Sequence, residues 1–179
     1  MIYPVPAVIV TVGADPAEWN PLTIAWTGTV CSDPAMCYIS VREERHSFPI
    51  LMRTMEFTIN LTTAEMARAT DWVGVRSGQD YDKWAETGLI PLPGEKVASP
   101  TIEQSPLSIE CRVKSVTKLG SHHLFLAEVL NVRADDRWID PATGKFDLEA
   151  AGLMAYAHGQ YHALGELLGT FGFSVRKKK

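Results

Sequence analysis

Arg42, Arg45 and Ser47 fall within one six-residue stretch, where a segment that reads as strand gives way to one that reads as helix. Arginine can fork two N–H groups onto phosphate oxygens. A helix N-terminus adds backbone donors and a favourable dipole. The cluster therefore has the makings of an anion pocket. Glu43 and Glu44 stand between the arginines and could equally neutralise them on a solvated loop, and spacing alone does not choose. His158, His162 and Glu166 recur at i, i+4 and i+8, which on a helix aligns three metal ligands on one face. Gly159 and Gly165 interrupt that span, each costing a helix about 1 kcal/mol against Ala. With no further Cys or His to complete the set, polar residues beside a pocket or a subunit contact are the better reading. Cys31 and Cys37 flank a turn between two strand-like segments and could face one another. The three cysteines form no CxxC pair, so small buried hydrophobes are favoured over a disulfide.

Other familiar chemistry is missing. No GxGxxG follows a strand, and there is no GxxxxGK[ST] or GxSxG. The 179 residues suit one domain, and 46% of them are apolar, enough for a sizeable core. Of the 17 Lys and Arg, four make up the last four residues, which leaves 13 against 21 Asp and Glu in the body. A body that acidic is a poor partner for nucleic acid or anionic lipid, although one local basic pocket could still hold a small anion. No apolar run reaches the roughly 18 residues of a membrane span, and the apolar start lacks a basic front. The expected location is cytoplasmic, with the basic tail a solvated end.

The elements that must position these residues read as follows. Val5 to Val12 is a β-branched strand, and Leu22 to Cys31 is a second. A turn at Ser32-Asp33-Pro34 leads into a third, Met36 to Arg42. Phe48 to Thr54 reads as a short helix with Ser47 as N-cap, and Phe57 to Leu61 as a strand. Thr62 and Glu65 have the spacing of a capping box opening a helix to about Thr70. Residues 71–100, with two Trp, four Gly and three Pro, form a long excursion carrying one short helix signal from Asp80 to Gly88. An excursion of that length covers something or meets a partner. Leu107 to Lys114 alternates apolar and polar without a fault, and Gly120-Ser121 turns it back into Leu124 to Val132. The prediction is a mainly β fold, a small antiparallel barrel or sandwich with helical inserts.

Taken in order, these segments resemble the flavin reductase-like, FMN-binding split-barrel family, most closely its flavoredoxin-type branch. Asn20-Pro21-Leu22-Thr23-Ile24-Ala25-Trp26 and Thr29-Val30-Cys31-Ser32-Asp33-Pro34 are similar to its opening motifs. Ser40-Val41-Arg42 with Arg45-His46-Ser47 resembles its phosphate segment, and Phe57-Thr58-Ile59-Asn60-Leu61 one of its strands. Asp82-Lys83-Trp84, Ser105-Pro106-Leu107, Gly120-Ser121-His122 with Ala127-Glu128-Val129, and Gly169-Thr170-Phe171-Gly172 resemble later ones. Where the family has Asp, Ser121 stands beside His122, and Ala127 replaces a glycine. The first change loosens the hold on His122, and the second crowds a backbone approach.

The resemblance implies a single split-barrel domain over 1–179 that binds FMN at a homodimer interface. Trp26, Thr27, Thr29, Val30 and Cys31 would wall the isoalloxazine, chiefly through strand backbone. Arg42, Arg45 and Ser47 would hold the phosphate, with Ser40 and His46 nearby. His122 would face the ring where NADH or NADPH stacks; the alternative is an exposed hairpin-turn histidine. The 71–100 excursion and the C-terminal segment would reach the partner's flavin. The implied activity is NAD(P)H:flavin oxidoreduction, with electrons passing to free flavin, a monooxygenase or another acceptor protein. A non-enzymatic electron carrier or flavin-binding module is the alternative.

Overall fold

The computed structural model describes residues 2–176, so the last three lysines of the basic tail lie outside the described residues. The chain is mostly strand: β1 (Val5–Pro6), β2 (Val8–Val12), β3 (Asn20–Ile24), β4 (Thr27–Ser32), β5 (Ala35–Arg42), β6 (Glu56–Leu61), β7 (Pro91–Leu92), β8 (Thr101–Ile102), β9 (Leu107–Leu119), β10 (His122–Ala134), β11 (Met154–Ala157) and β12 (Gln160–Ala163). Helices α1 (Ser47–Thr54), α2 (Ala67–Val75) and α3 (Lys83–Thr87) interrupt them. Seven strands make one antiparallel sheet in the order β3-β2-β6-β9-β10-β5-β4.

The two edges of that sheet, β3 and β4, are consecutive in the chain and separated only by Ala25 and Trp26. Two residues cannot span seven flat strands at nearly 5 Å each. The sheet therefore curls until its edges come together, and Ser40 N–H of β5 donates to Trp26 C=O at 2.9 Å, carrying the β4–β5 ladder up to the crossing. This is a split barrel. Register shifts in the β9–β10 hairpin, at Leu126/Ala127 and Val129/Asn131, supply local bends of the kind such closure needs. The expected single strand over 22–31 is thus two strands, each pairing a different neighbour.

Alternation fills the interior. Cys37, Ile39 and Val41 of β5 point inward with Phe125 and Ala127 of β10, Phe57 of β6 and Leu51 of α1. Strand β2 is buried on both faces because it is covered on both. Val8, Val10 and Val12 enter the barrel, while Ile9 packs outside against Met66, Val73, Leu89 and Ile102. The 71–100 excursion, with α3 capped by Asp82 at its start, thus helps cover the outer face of β2.

Four local expectations are corrected. Ser47 is the first residue of α1 rather than its cap; its hydroxyl instead accepts from Asn20 Nδ2 at 2.7 Å. Helix α2 starts at Ala67, not after Thr62, because the Thr62 hydroxyl is drawn to Ala7 C=O. His158 and His162 lie in a β-hairpin, with His158 at φ 50° in its turn, so no helix aligns them with Glu166. Cys31 pairs with Met36 in the ladder, and it is Cys37 and Cys111 whose sulfurs approach, at 3.4 Å. Those two sit on strands separated by β10, and their sulfurs stand well outside the roughly 2.05 Å of a disulfide bond. All three cysteines are free thiols.

Candidate functional site

At the seam where β3 hands over to β4, a cavity of about 410 Å³ opens. Its floor is the crossing segment itself, Leu22 to Trp26, with Ser40 and Arg42 from the end of β5. One wall is α2, through Asp71, Gly74 and Val75; another is the tip of the β9–β10 hairpin, through His122. Tyr3, Tyr156 and Tyr161, from the small β1-β11-β12 sheet, close the far end. One end of the cavity is thus cationic and the other aromatic. The Tyr161 hydroxyl donates to Asp71 Oδ1 at 3.2 Å, and burial together with that carboxylate pushes the phenol up to about 12.

His122 pairs across strands with Arg42. Its ring stacks on Trp26, with centroids 4.7 Å apart and planes at 23°. The Ser121 hydroxyl lies 2.9 Å from His122 Nδ1. Burial and then the Arg42 guanidinium hold the imidazole below its ordinary pKa, so it is neutral at pH 7. Strand alternation sends the next residue the other way: His123 is buried beside Phe48, with Nε2 3.3 Å from Glu43. Of the two adjacent histidines, the cavity receives only His122.

The two arginines differ. Arg42 is held by Glu44 at 2.8 Å, which keeps that carboxyl below its usual range. Glu43 turns away to Lys118 at 2.7 Å. Arg45 has no carboxylate partner among the described residues. It donates to Gly74 C=O at 3.0 Å, in the last turn of α2, where a cation complements the helix dipole. Neutralisation by the neighbouring glutamates therefore applies to Arg42 and not to Arg45.

Beside this cavity lies a second compartment of about 290 Å³, sharing Leu22, Thr23, Arg45, Gly74 and Val75 with it. His46 and Ser47 line it, and so does Lys83, a residue the motif reading left without a role. Lys83 is 5% exposed; its Nζ donates to Pro21 C=O at 3.0 Å and Val73 C=O at 2.8 Å, with no carboxylate in ion-pair range among the described residues. Burial first, and Arg45 second, lower its pKa to about 8. A buried ammonium beside an unpaired guanidinium is a standing demand for an anion. Gly78 seals the wall here: a Cβ would run into Asn20 Oδ1 and crowd His46, so a side chain would displace the loop.

Trp26, Ser40, Arg42, Arg45 and His122 thus share the first cavity, while Arg45, His46 and Ser47 share the second. Thr27, Thr29, Val30 and Cys31 line neither. They run along the free edge of β4, where Thr27 donates its hydroxyl to Tyr38 C=O at 2.7 Å. No grouping of metal ligands occurs among the described residues, and no described helix is long and apolar enough to cross a membrane.

Comparison with known proteins agrees with this geometry. The model of the flavin reductase-like domain matches residues 1–165. Flavoredoxin of Desulfovibrio vulgaris (Miyazaki F) superposes with a TM-score of 0.89 at 27% identity, over 98% of this chain and 95% of that one. Nitrilotriacetate monooxygenase component B from Bacillus cereus gives 0.84 at 17% identity, over 94% and 88%. An NADH:FAD oxidoreductase of Streptomyces globisporus C-1027 gives 0.75 at 18%, over 92% and 88%. With a barrel split at the seam that carries its cavity, and with the domain model spanning that barrel, the chain belongs to the flavin reductase-like family.

Proposed function

We propose that this protein binds FMN and acts as an NAD(P)H:flavin oxidoreductase. The observation that carries the reading is Lys83, a buried cation without a counter-ion, set beside Arg45 where the cation compartment adjoins an aromatic cavity. A flavin mononucleotide has the matching halves, a phosphate dianion and a flat apolar ring. Arg45, Lys83 and the Ser47 hydroxyl hold the phosphate, with His46 at its flank. Trp26 and the crossing segment form the floor for the ring, and about 410 Å³ is within the range of small-molecule sites. The edge of β4, with Thr27, Thr29, Val30 and Cys31, offers unpaired backbone groups beside the seam.

Bound flavin supplies the hydride and electron chemistry, and the protein supplies position and electrostatics. Neutral His122 orients the incoming nicotinamide without adding a second positive charge beside Arg42. Trp26 holds the imidazole by stacking, and the Ser121 hydroxyl, able to donate or accept, pairs with Nδ1 in either tautomer. Electrons leave to free flavin, a monooxygenase or another acceptor protein. The family relatives that are themselves an NADH:FAD oxidoreductase and a monooxygenase component support this direction.

A carrier without turnover is the second reading. It is favoured by Ser121, a neutral hydroxyl where the family has Asp, so that no adjacent carboxylate draws a proton onto His122. Absorbance at 340 nm separates the two: protein with FMN consumes NADH or NADPH if it is a reductase. A protein that binds FMN yet oxidises neither nucleotide is a carrier. We further propose a homodimer. Leu168 and Phe171 stand almost wholly in solvent on an extended C-terminal segment, an exposure that a second copy would relieve. Light scattering of the purified protein at twice the chain mass is the expected result.

A further inference from the structure

The strands that carry Arg42 and His122 into the cavity hold a second charged set on their other face. Arg42 and His122 oppose each other across β5 and β10. One residue further along the chain in each case, Glu43 and His123 turn away from the cavity and toward one another. Glu43 Oε1 accepts from Lys118 Nζ at 2.7 Å and stands 3.3 Å from His123 Nε2. Lys118 and His123 are themselves opposite one another in the β9–β10 ladder. A single carboxylate, just past the end of β5, thus reaches both arms of the hairpin. We propose that Glu43 is a positioning residue for His122, holding the hairpin tip where the imidazole stacks on Trp26; this rests on the role at the nicotinamide given to His122 above.

The tip has little else to hold it. Leu119, Gly120 and Ser121 are all exposed. The His123 ring is buried against Phe48, with centroids 4.8 Å apart, yet its Nδ1 has no hydrogen-bond partner among the described residues. Glu43 is therefore the one polar contact that this side chain makes among the described residues. The Lys118 ammonium holds the Glu43 carboxyl below its usual range, so the group is a carboxylate at neutral pH. Glu44 cannot take its place, because Arg42 engages it at 2.8 Å.

The phosphate loop, by contrast, does not depend on Glu43. Arg45 N–H donates to Arg42 C=O at 3.2 Å, Phe48 N–H donates to Arg45 C=O at 2.8 Å, and Asn20 ties the Ser47 hydroxyl. Loss of the Glu43 carboxylate frees the hairpin and leaves Arg45 in place. An ion pair whose two side chains are more than half exposed adds little to global stability. Displacing a group that orients a substrate costs far more in rate. The effect of Glu43 therefore belongs to placement and not to the unfolding midpoint.

The test compares the full-length wild type with Glu43→Ala and with Glu43→Gln, which keeps a carbonyl oxygen for Lys118 and His123. In the flavin-free protein, NMR at pH 7 reads the ring protons of His122, which stacking on Trp26 shifts upfield. That shift is expected to be lost in Glu43→Ala and kept in Glu43→Gln, with equal urea midpoints in all three. With FMN bound, KM for the nicotinamide nucleotide should rise about ten-fold in Glu43→Ala and return in Glu43→Gln, while FMN affinity stays within about two-fold of wild type. A merely destabilised protein loses active fraction, and so kcat, and leaves KM in place. An upfield shift that survives in Glu43→Ala, or is lost equally in Glu43→Gln, overturns the proposal, as does an FMN affinity that falls as far as KM rises. A wild type that binds FMN and oxidises neither NADH nor NADPH removes the oxidoreductase reading instead, and the His122 shift alone then decides whether Glu43 positions the ring.

Discussion

A lysine buried without a carboxylate is unstable in its own right, and the consequences of Lys83 can be worked out at the level of one proton. Its amine titrates at about 8 rather than 10.5, because burial and then Arg45 disfavour the ammonium. A bound phosphate favours the ammonium. FMN affinity should therefore fall as pH rises through about 8, while riboflavin, which lacks the phosphate, shows no such dependence. Fluorescence titrations of the two flavins from pH 6.5 to 9.5 measure this. Stability of the unliganded protein runs in the opposite direction. The unfolded lysine keeps its proton up to 10.5 and the folded one loses it near 8, so the unfolded state binds more protons between those values. Across that window the wild type should gain stability with pH relative to Lys83→Met, as read by urea midpoints. Arg45→Ala should weaken FMN binding about ten- to hundred-fold, the loss of one charge-assisted contact of roughly 1.5–3 kcal/mol, and leave riboflavin unchanged. Equal losses for both flavins would remove the phosphate assignment. The Arg42–Arg45–Ser47 cluster was legible because arginines that close together in an acidic chain are conspicuous. Lys83 was not, since a lysine reads as surface unless the fold wraps carbonyls around it.

The elements divide into those that local pattern determines and those that a distant partner determines. Strand β9 alternates cleanly in residue type, yet Ser108 and Glu110 on its polar face are as buried as Cys111, and only from Arg112 to Lys114 does burial alternate with it; its hairpin with β10 followed from Gly120 and Ser121. Ser47 and Thr62 carry genuine capping chemistry, yet Asn20 and Ala7, far away in sequence, claim their hydroxyls. No local rule anticipates such competition. Glu110 shows the same long-range logic put to structural use. This buried carboxylate accepts from the backbone N–H groups of Glu95, Lys96 and Val97 at 2.9, 2.6 and 3.2 Å, and from Asn131 at 2.9 Å. Burial pushes its pKa up, but those hydrogen bonds outweigh burial and hold it below the ordinary value. Its contribution is therefore present at neutral pH and lost as pH falls through the depressed pKa. Glu110→Gln turns an amide N–H₂ toward backbone donors or leaves one unsatisfied, at a cost of about 1–3 kcal/mol. Urea unfolding should show that loss at pH 7 and a smaller one near pH 3, with faster proteolysis around residues 94–97.

At the scale of the whole molecule, the site exists because the barrel is split. Strands β3 and β4 look like one β-branched run, Leu22 to Cys31, with no proline and only Gly28 inside it. Nothing in that run marks Ala25-Trp26 as the place where the chain crosses from one edge of the sheet to the other. Closure decides it, and the same crossing lays Trp26 into the cavity floor. Core and site are consequently adjacent but separable. Phe57 lies on β6, near the middle of the sheet and fully buried, with no atom lining either compartment. Phe57→Ala should cost about 3–5 kcal/mol, the transfer of the ring plus the cavity it leaves. Because the seam is set by the β3–β4 crossing and by Arg45, Ser47 and Lys83, the folded fraction of this variant should bind FMN with wild-type affinity. Denaturant midpoints give the first quantity, and FMN titration corrected for the folded fraction gives the second. A stability loss accompanied by a ten-fold weaker FMN affinity would mean that the core, and not the seam, sets the geometry of the site.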